Sequence, residues 1–146
     1  FDFITGAEEW KTHTEYDYEK EAVVYVTKAG GSLGRSHYVN GKFIASNLCI
    51  ILTPKNKKTY PINLQFYNAF LNNKRKKIVS DLADGTSKLT IKDPDFEKYY
   101  IDYIPINKQN EFVENNLIEY KKKVLELKNL VKKSEEKINT KFKELI

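Results

Sequence analysis

Methionine is absent from the 146 residues, cysteine and tryptophan occur once each, and histidine occurs twice. Without Met, Phe1 does not read as a natural start, and the sequence reads as a piece of a longer chain. A single thiol cannot close an internal disulfide. Cys49 lies in the apolar run Leu48-Cys49-Ile50-Ile51-Leu52, where it reads as a small core residue on a buried strand in a reducing, cytoplasmic setting. No stretch approaches the roughly 18 consecutive apolar residues of a membrane span. Phe1 to Trp10 has neither the basic start nor the apolar run of a leader. The two histidines are far apart and no cysteine pair exists, so no zinc-ligand spacing is present. Gly30 to Gly34 lacks the Gly-Lys-Ser/Thr of a phosphate-cradling loop and the glycine spacing of a dinucleotide site. These absences argue against a catalytic site, a metal or a bound cofactor in this chain.

What is present is an aromatic-rich folded sequence, with 40% apolar residues, ten Tyr and eight Phe. The net charge of +5 is unevenly spread. Residues 1–21 carry seven acids and two lysines, whereas residues 22–92 carry twelve basic residues and two acids. The middle of the chain is therefore strongly basic, which suggests a polyanionic partner.

Composition also divides the chain. Residues 1–106 are dotted with Gly, Pro and Asn. Residues 107–146 contain neither Gly nor Pro and are rich in Lys, Glu and Leu. In the first part, Glu21 to Thr27 predicts a strand, followed by a Gly-rich turn from Ala29 to Arg35. Ser36 to Val39 and Lys42 to Ala45 read as short strands joined by an Asn40-Gly41 hairpin turn, with another strand over Asn47 to Thr53. Helical spacing of Leu64, Tyr67, Phe70 and Leu71 predicts a helix from Asn63 to Lys77. Asp84-Gly85-Thr86 reads as a turn and Tyr99 to Ile104 as a last strand. The expected fold is α+β: a small globular domain (1–106) with a mixed or antiparallel sheet, followed by a long coiled-coil-like helix (107–146) capped by Asn107. Leu117, Tyr120, Val124, Leu127, Val131 and Ile138 recur in alternating steps of three and four. They form a heptad stripe interrupted by Ser134 and Lys141. A helix of about 55–60 Å cannot bury that stripe against a small body, so a second helix is expected: in the same protein, a second copy or a partner.

Candidate chemistry lies in the basic elements. Lys55, Lys57 and Lys58 form one cluster, and Lys74 to Lys77 another; such clusters neutralise phosphates and release counterions. The Gly-rich loop offers Ser32 and Arg35, followed by His37. An arginine can bond both acceptors of guanine in the major groove. Lys11, His13 and Lys88 are further polar loop candidates. Asp93-Pro94-Asp95-Phe96 matches only part of an amino-methyltransferase signature, having one proline where that motif has two, and it reads as a charged surface loop.

Taken in order, these features resemble a target-recognition domain of the specificity subunit of type I restriction–modification systems, with its following spacer helix. The similarity runs over nearly the whole chain. It is carried by Phe3-Ile4-Thr5-Gly6 with Trp10, Ala22-Val23-Val24 and the loop to Gly34-Arg35. It continues through Tyr38, Gly41-Lys42-Phe43, Ser46-Asn47, Leu52 and Pro54, then Asn63 with Phe66, Tyr67, Phe70 and Leu71. It closes with Gly85-Thr86-Ser87, Leu89, Ile104-Pro105-Ile106, Gln109 and Phe112-Val113. The chain departs from the family between Ile106 and Gln109, where the usual longer Pro-Leu-containing segment is absent. The resemblance implies a non-catalytic module that reads one half of a bipartite site on double-stranded DNA. Its DNA-contacting set would be Lys11, His13, Ser32, Arg35, His37, Lys57 and Lys88. The helix would dock on the modification methyltransferase subunit, and indirectly on the restriction subunit, while pairing with a second copy or a second recognition half. S-adenosylmethionine would be held by the partner methyltransferase only. A complete specificity subunit has two such domains. This sequence would be a fragment, a half-length subunit that dimerises, or the recognition part of a fused methyltransferase. A coiled-coil interaction protein that binds no DNA is the alternative reading of the same composition.

Overall fold

The longest ladder of the computed structural model joins two neighbours in the chain, β3 (Tyr18–Val26) and β4 (Ser36–Ala45), which pair antiparallel from Tyr18↔Phe43 to Tyr25↔Ser36. The structure describes residues 1–28, 30–85 and 88–146. Three further strands complete the sheet: β1 (Asp2–Ile4), β2 (Lys11–Thr12) and β5 (Cys49–Leu52), in the order β2-β1-β4-β3-β5. β1 runs parallel to β4 and all other pairings are antiparallel, so the sheet is mixed. Two helices follow, α1 (Leu64–Asn73) and α2 (Arg75–Leu82). After them come a two-stranded hairpin of β6 (Ala83–Asp84) and β7 (Thr90–Ile91) and a short helix α3 (Asp93–Glu97). The α+β class expected from the sequence is the class observed.

The sheet is curled, and its pairing shows why. Phe43 lies opposite Tyr18, yet Cys49 lies opposite Val26. Six peptide steps reach at most about 21 Å. A straight strand would hold Tyr18 and Val26 about 26 Å apart, so β3 and β4 must bend. β4 carries one residue in the left-handed region, Gly41 at φ 128°. The curl brings three connections to one end of the sheet. Thr27 N–H donates to the Leu48 carbonyl (3.0 Å), Ser46 N–H to the Ile4 carbonyl (2.8 Å), and Arg35 Nη1 to the Gly6 carbonyl (2.8 Å).

β3 has apolar residues on both faces because both faces are covered. Val23 and Tyr25 face the cluster formed with Leu33, Leu64, Leu71, Ile78 and Ile91. Ala22 and Val24 face Ile4, Val39 and Phe43, with Trp10 and Ile51 packed on that cluster. Burial on this scale, at about 25 cal/mol per Å² of apolar surface, is the main favourable contribution to the fold.

Several sequence expectations need correction. Asn40-Gly41 forms no hairpin. The tight turn would need φ > 0 at both residues, but no described non-glycine residue has positive φ, and β3 is long enough to pair both positions, with Glu21 and Lys20. Leu48 to Leu52 is half-buried because β5 is an edge strand, and Cys49 is likewise half-buried. The helix expected over 63–77 is two helices broken at Lys74. Asn63 caps the first, its Oδ1 accepting from the N–H groups of Gln65 and Phe66. Tyr99 to Ile104 is not a strand. The Tyr67 hydroxyl binds it instead, donating to the Asp102 carbonyl (3.1 Å) and accepting from Ile104 N–H (3.0 Å). Ala29 of the Gly-rich turn, and Thr86 and Ser87 of the next, lie outside the described residues; Gly85 is left-handed at φ 111°.

Contacts divide the chain into Phe1–Gln109 and Asn110–Ile146. Residues 106–145 are helical throughout: α4 (Ile106–Phe112), one wider π turn over Val113–Leu117, and α5 (Ile118–Leu145). The helix starts at Ile106, not after Asn107, because the Pro105 carbonyl accepts from the N–H groups of both Lys108 and Gln109. At 1.5 Å per residue it extends about 60 Å. Within this second unit Tyr120, Leu127, Val131 and Ile138 are all more than half exposed. No helix among the described residues is long and apolar enough to cross a membrane.

Candidate nucleic-acid interface

The curled end of the sheet gathers three of the sequence-predicted residues. Ser32 and Arg35 lie in the connection between β3 and β4, and His37 follows in β4. Gly34, at φ 80°, closes this connection with its N–H on the Val26 carbonyl (2.8 Å). A Cβ there would stand 2.7 Å from Val79 Cγ2 and 3.0 Å from Arg75 Cγ, so the close approach of loop and helix needs glycine. Arg35 spends part of its guanidinium on the Gly6 carbonyl, joining the two loops. His37 is buried, with Trp10 edge-on to it (centroids 5.6 Å). Burial, and then the neighbouring Arg35, hold its imidazole below the usual histidine pKa. Lys11 follows Trp10 directly, on the exposed edge strand β2.

The remaining predicted residues lie apart from this group. His13 sits beyond β2, its Nδ1 accepting from Glu15 N–H (3.0 Å). Lys57 is exposed in the loop beyond β5, whose last residue Leu52 pairs with Val23, away from the curled end. Lys88 is exposed beside the β6–β7 hairpin, which is tied back by Ile91 N–H on the Thr27 carbonyl (2.8 Å).

Sequence reading missed the residues that hold the loop from below. Arg75, the first residue of α2, donates from Nε to the Leu33 carbonyl (2.8 Å) and from Nη2 to the Gly31 carbonyl (2.7 Å). On α1, Asn72 brackets the Ser36 backbone, accepting from its N–H and donating to its carbonyl (both 2.9 Å), while Asn68 accepts from the Ser36 hydroxyl (2.7 Å). Arginine was visible in the sequence only as part of a basic cluster, and nothing in the spacing tied it to a loop more than forty residues earlier. Between loop and helices lies an open groove of about 820 Å³, lined by Gly30, Gly31, Leu33, Asn72, Asn73, Arg75, Lys76, Val79 and Ser80. No acid lines it.

The charge balance of the body follows the same pattern. Within the body, Lys77 pairs with Asp81 and Lys92 with Asp84. Lys28, Lys55, Lys57, Lys58, Lys74, Lys76 and Lys88 are exposed and form no ion pair with a described acid. Cys49 offers no nucleophile, because burial pushes its thiol up to about 11. Among the described residues no group of His, Cys, Asp or Glu could hold a metal ion.

The model of the type I restriction modification DNA specificity domain matches residues 5–139. Among solved structures, the S subunit of a type-I restriction-modification system from M. genitalium superimposes with a TM-score of 0.71 at 17% identity. The match covers 90% of this chain and 34% of that one, so the fold is shared and this chain spans about a third of the subunit's length. None of the curated proteins compared with the chain matches it. The chain therefore belongs to the type I restriction–modification DNA specificity domain family.

Proposed function

We propose that residues 1–106 form the target-recognition domain and read one half of a bipartite DNA site. The curled end of the sheet would face the duplex, and residues 107–146 would serve as the spacer and docking helix. The observation that carries this reading is the unneutralised charge of the body: of twelve basic residues between 22 and 92, only Lys77 and Lys92 pair with a described acid. The exposed lysines among them that have no acidic partner are available to phosphates, whose condensed counterions they release. Ser32 and Arg35 stand among them as the base-reading group, with Lys11 and His13 on the adjoining edge; Lys57 and Lys88 serve as outlying phosphate contacts, while His37, expected from the sequence to touch DNA, is buried against Trp10 and supports the loop from within. The stripe, half-buried at Leu117 and Val124 and exposed at Tyr120, Leu127, Val131 and Ile138, supports pairing with a second helix, from another copy or another recognition half. The methyltransferase subunit is the partner expected on the same helix, and through it the restriction subunit. The cytoplasm is the compartment where such a complex meets DNA.

The test is selection of randomised duplex DNA by the purified chain at two salt concentrations, followed by sequencing. A short enriched motif, or two copies at fixed spacing, is the expected result. Binding that enriches nothing and vanishes at moderate salt would remove base reading by this chain.

A further inference from the structure

The guanidinium of Arg75 lies where a DNA-facing cation would be expected, in a groove without acids, yet its hydrogen bonds point inward. Nε and Nη2 reach the carbonyls of Leu33 and Gly31 at 2.8 and 2.7 Å, across a sequence separation of more than forty residues. Two bonds from one planar fork, each charge-assisted, fix both position and orientation. They act on the part of the loop with the least restraint of its own: Gly30 and Gly31 have no heavy atom within 4 Å of a Cβ position, and Gly31 is exposed. Downstream the same connection is gripped by Asn68 and Asn72 at Ser36. The loop bearing Ser32 and Arg35 is thus clamped at both ends by α1 and α2.

We infer that Arg75 is a positioning residue for recognition. It sets the conformation in which Ser32 and Arg35 are presented, and it does not itself neutralise a phosphate. The inference rests on the reading that this loop contacts DNA. A contact held slightly out of place loses base discrimination, because a bidentate pair to a base depends on geometry, whereas attraction to the phosphate backbone depends mainly on charge.

That difference gives the experiment. Arg75→Lys and Arg75→Ala are compared with the unaltered chain in the selection and in titrations of specific and random duplexes over a salt series, below the melting temperature of each variant. The ratio of specific to non-specific affinity should fall by about tenfold or more in both variants, since lysine cannot span two carbonyls as a fork. The salt slope on random DNA should stay as it was, because no phosphate contact is lost. A slope reduced by about 0.9 in Arg75→Ala, restored in Arg75→Lys with specificity intact, would make Arg75 a phosphate ligand and overturn the assignment. An unchanged specificity ratio in both variants would overturn it as well, including where only the melting temperature falls. If Arg75→Ala does not fold, Arg75→Lys decides alone, through its specificity ratio. The underlying reading fails separately, through Arg35→Ala: if that variant keeps the selected motif and its affinity, the loop does not read DNA.

Discussion

The indole of Trp10 meets the imidazole of His37 edge-on, with ring centroids 5.6 Å apart and planes at 82°. This contact joins the loop after β1 to the start of β4, beside the Arg35–Gly6 bond. His37 Nε2 is buried and has no hydrogen-bond partner among the described residues. A neutral ring tolerates that position far better than a charged one.

A pH dependence of stability follows. The groups facing His37 are Trp10, Arg35, the Ala7 backbone and Glu8. Burial and Arg35 lower the pKa, outweighing the opposing effects of the Ala7 backbone and Glu8. The folded pKa lies below the unfolded value of about 6.5, so the unfolded state binds the proton more readily. The contribution is fully present above the unfolded value and is lost as pH falls through the folded one. Urea denaturation of the unaltered chain should show falling stability on acidification below about pH 6.5, and His37→Phe should flatten that part of the profile. The same acid slope in both proteins would assign the effect to other groups.

Glycine at 34 is tested by comparison with glycine at 31. Gly34→Ala forces a Cβ to within 2.7 Å of Val79 Cγ2 at φ 80°. Left-handed strain and overpacking together should cost about 2–4 kcal/mol. Gly31→Ala meets nothing within 4 Å and has no positive φ, so it should stay within about 1 kcal/mol of the unaltered chain. Equal denaturation midpoints for the two variants would contradict the tight loop–helix approach.

How much of this was legible beforehand depended on how local the cause was. The apolar run Ala22-Val23-Val24-Tyr25-Val26, the spacing of Leu64, Tyr67 and Leu71, and the glycine-free tail are local patterns, and each yielded its element. Asn40-Gly41 misled because strand length in the partner, not turn propensity, decided its conformation. Tyr99 to Ile104 misled because a hydroxyl from α1 took the backbone bonds that a neighbouring strand would have made. The grouping of Ser32, Arg35 and His37 could be proposed from their nearness in sequence. The clamp by Arg75 and Asn72 could not, because it depends on how α1 and α2 pack against the sheet.

Gln109 offers a stringent test of the junction between the body and α4. It is fully buried, and its amide is used at both ends. Oε1 accepts from Asn63 N–H (2.7 Å), while Nε2 donates to the carbonyls of Ile104 (2.7 Å) and Pro61 (3.2 Å). Gln109→Glu keeps the shape but replaces the donor with an acceptor facing two carbonyl oxygens. A loss of about 2–3 kcal/mol or more is expected at neutral pH. The loss should shrink in acid, where protonation restores one donor. A neutral substitution at all pH values would mean that the amide contributes shape only.

Pairing through the helix can be altered in both directions. Leu127 is 61% exposed on α5, so Leu127→Glu removes no packing within that helix and should leave its helicity unchanged. Lys141 occupies a stripe position where a charge weakens a helix seam. If the stripe pairs with a second copy, sedimentation should show Leu127→Glu shifting the chain toward monomer and Lys141→Leu shifting it toward dimer at equal concentration. A general change in surface hydrophobicity would also move these two in opposite directions, so Lys122→Leu, exposed and off the stripe, is the control and should leave the mass unchanged. If neither changes the mass, the stripe is not a homodimer seam.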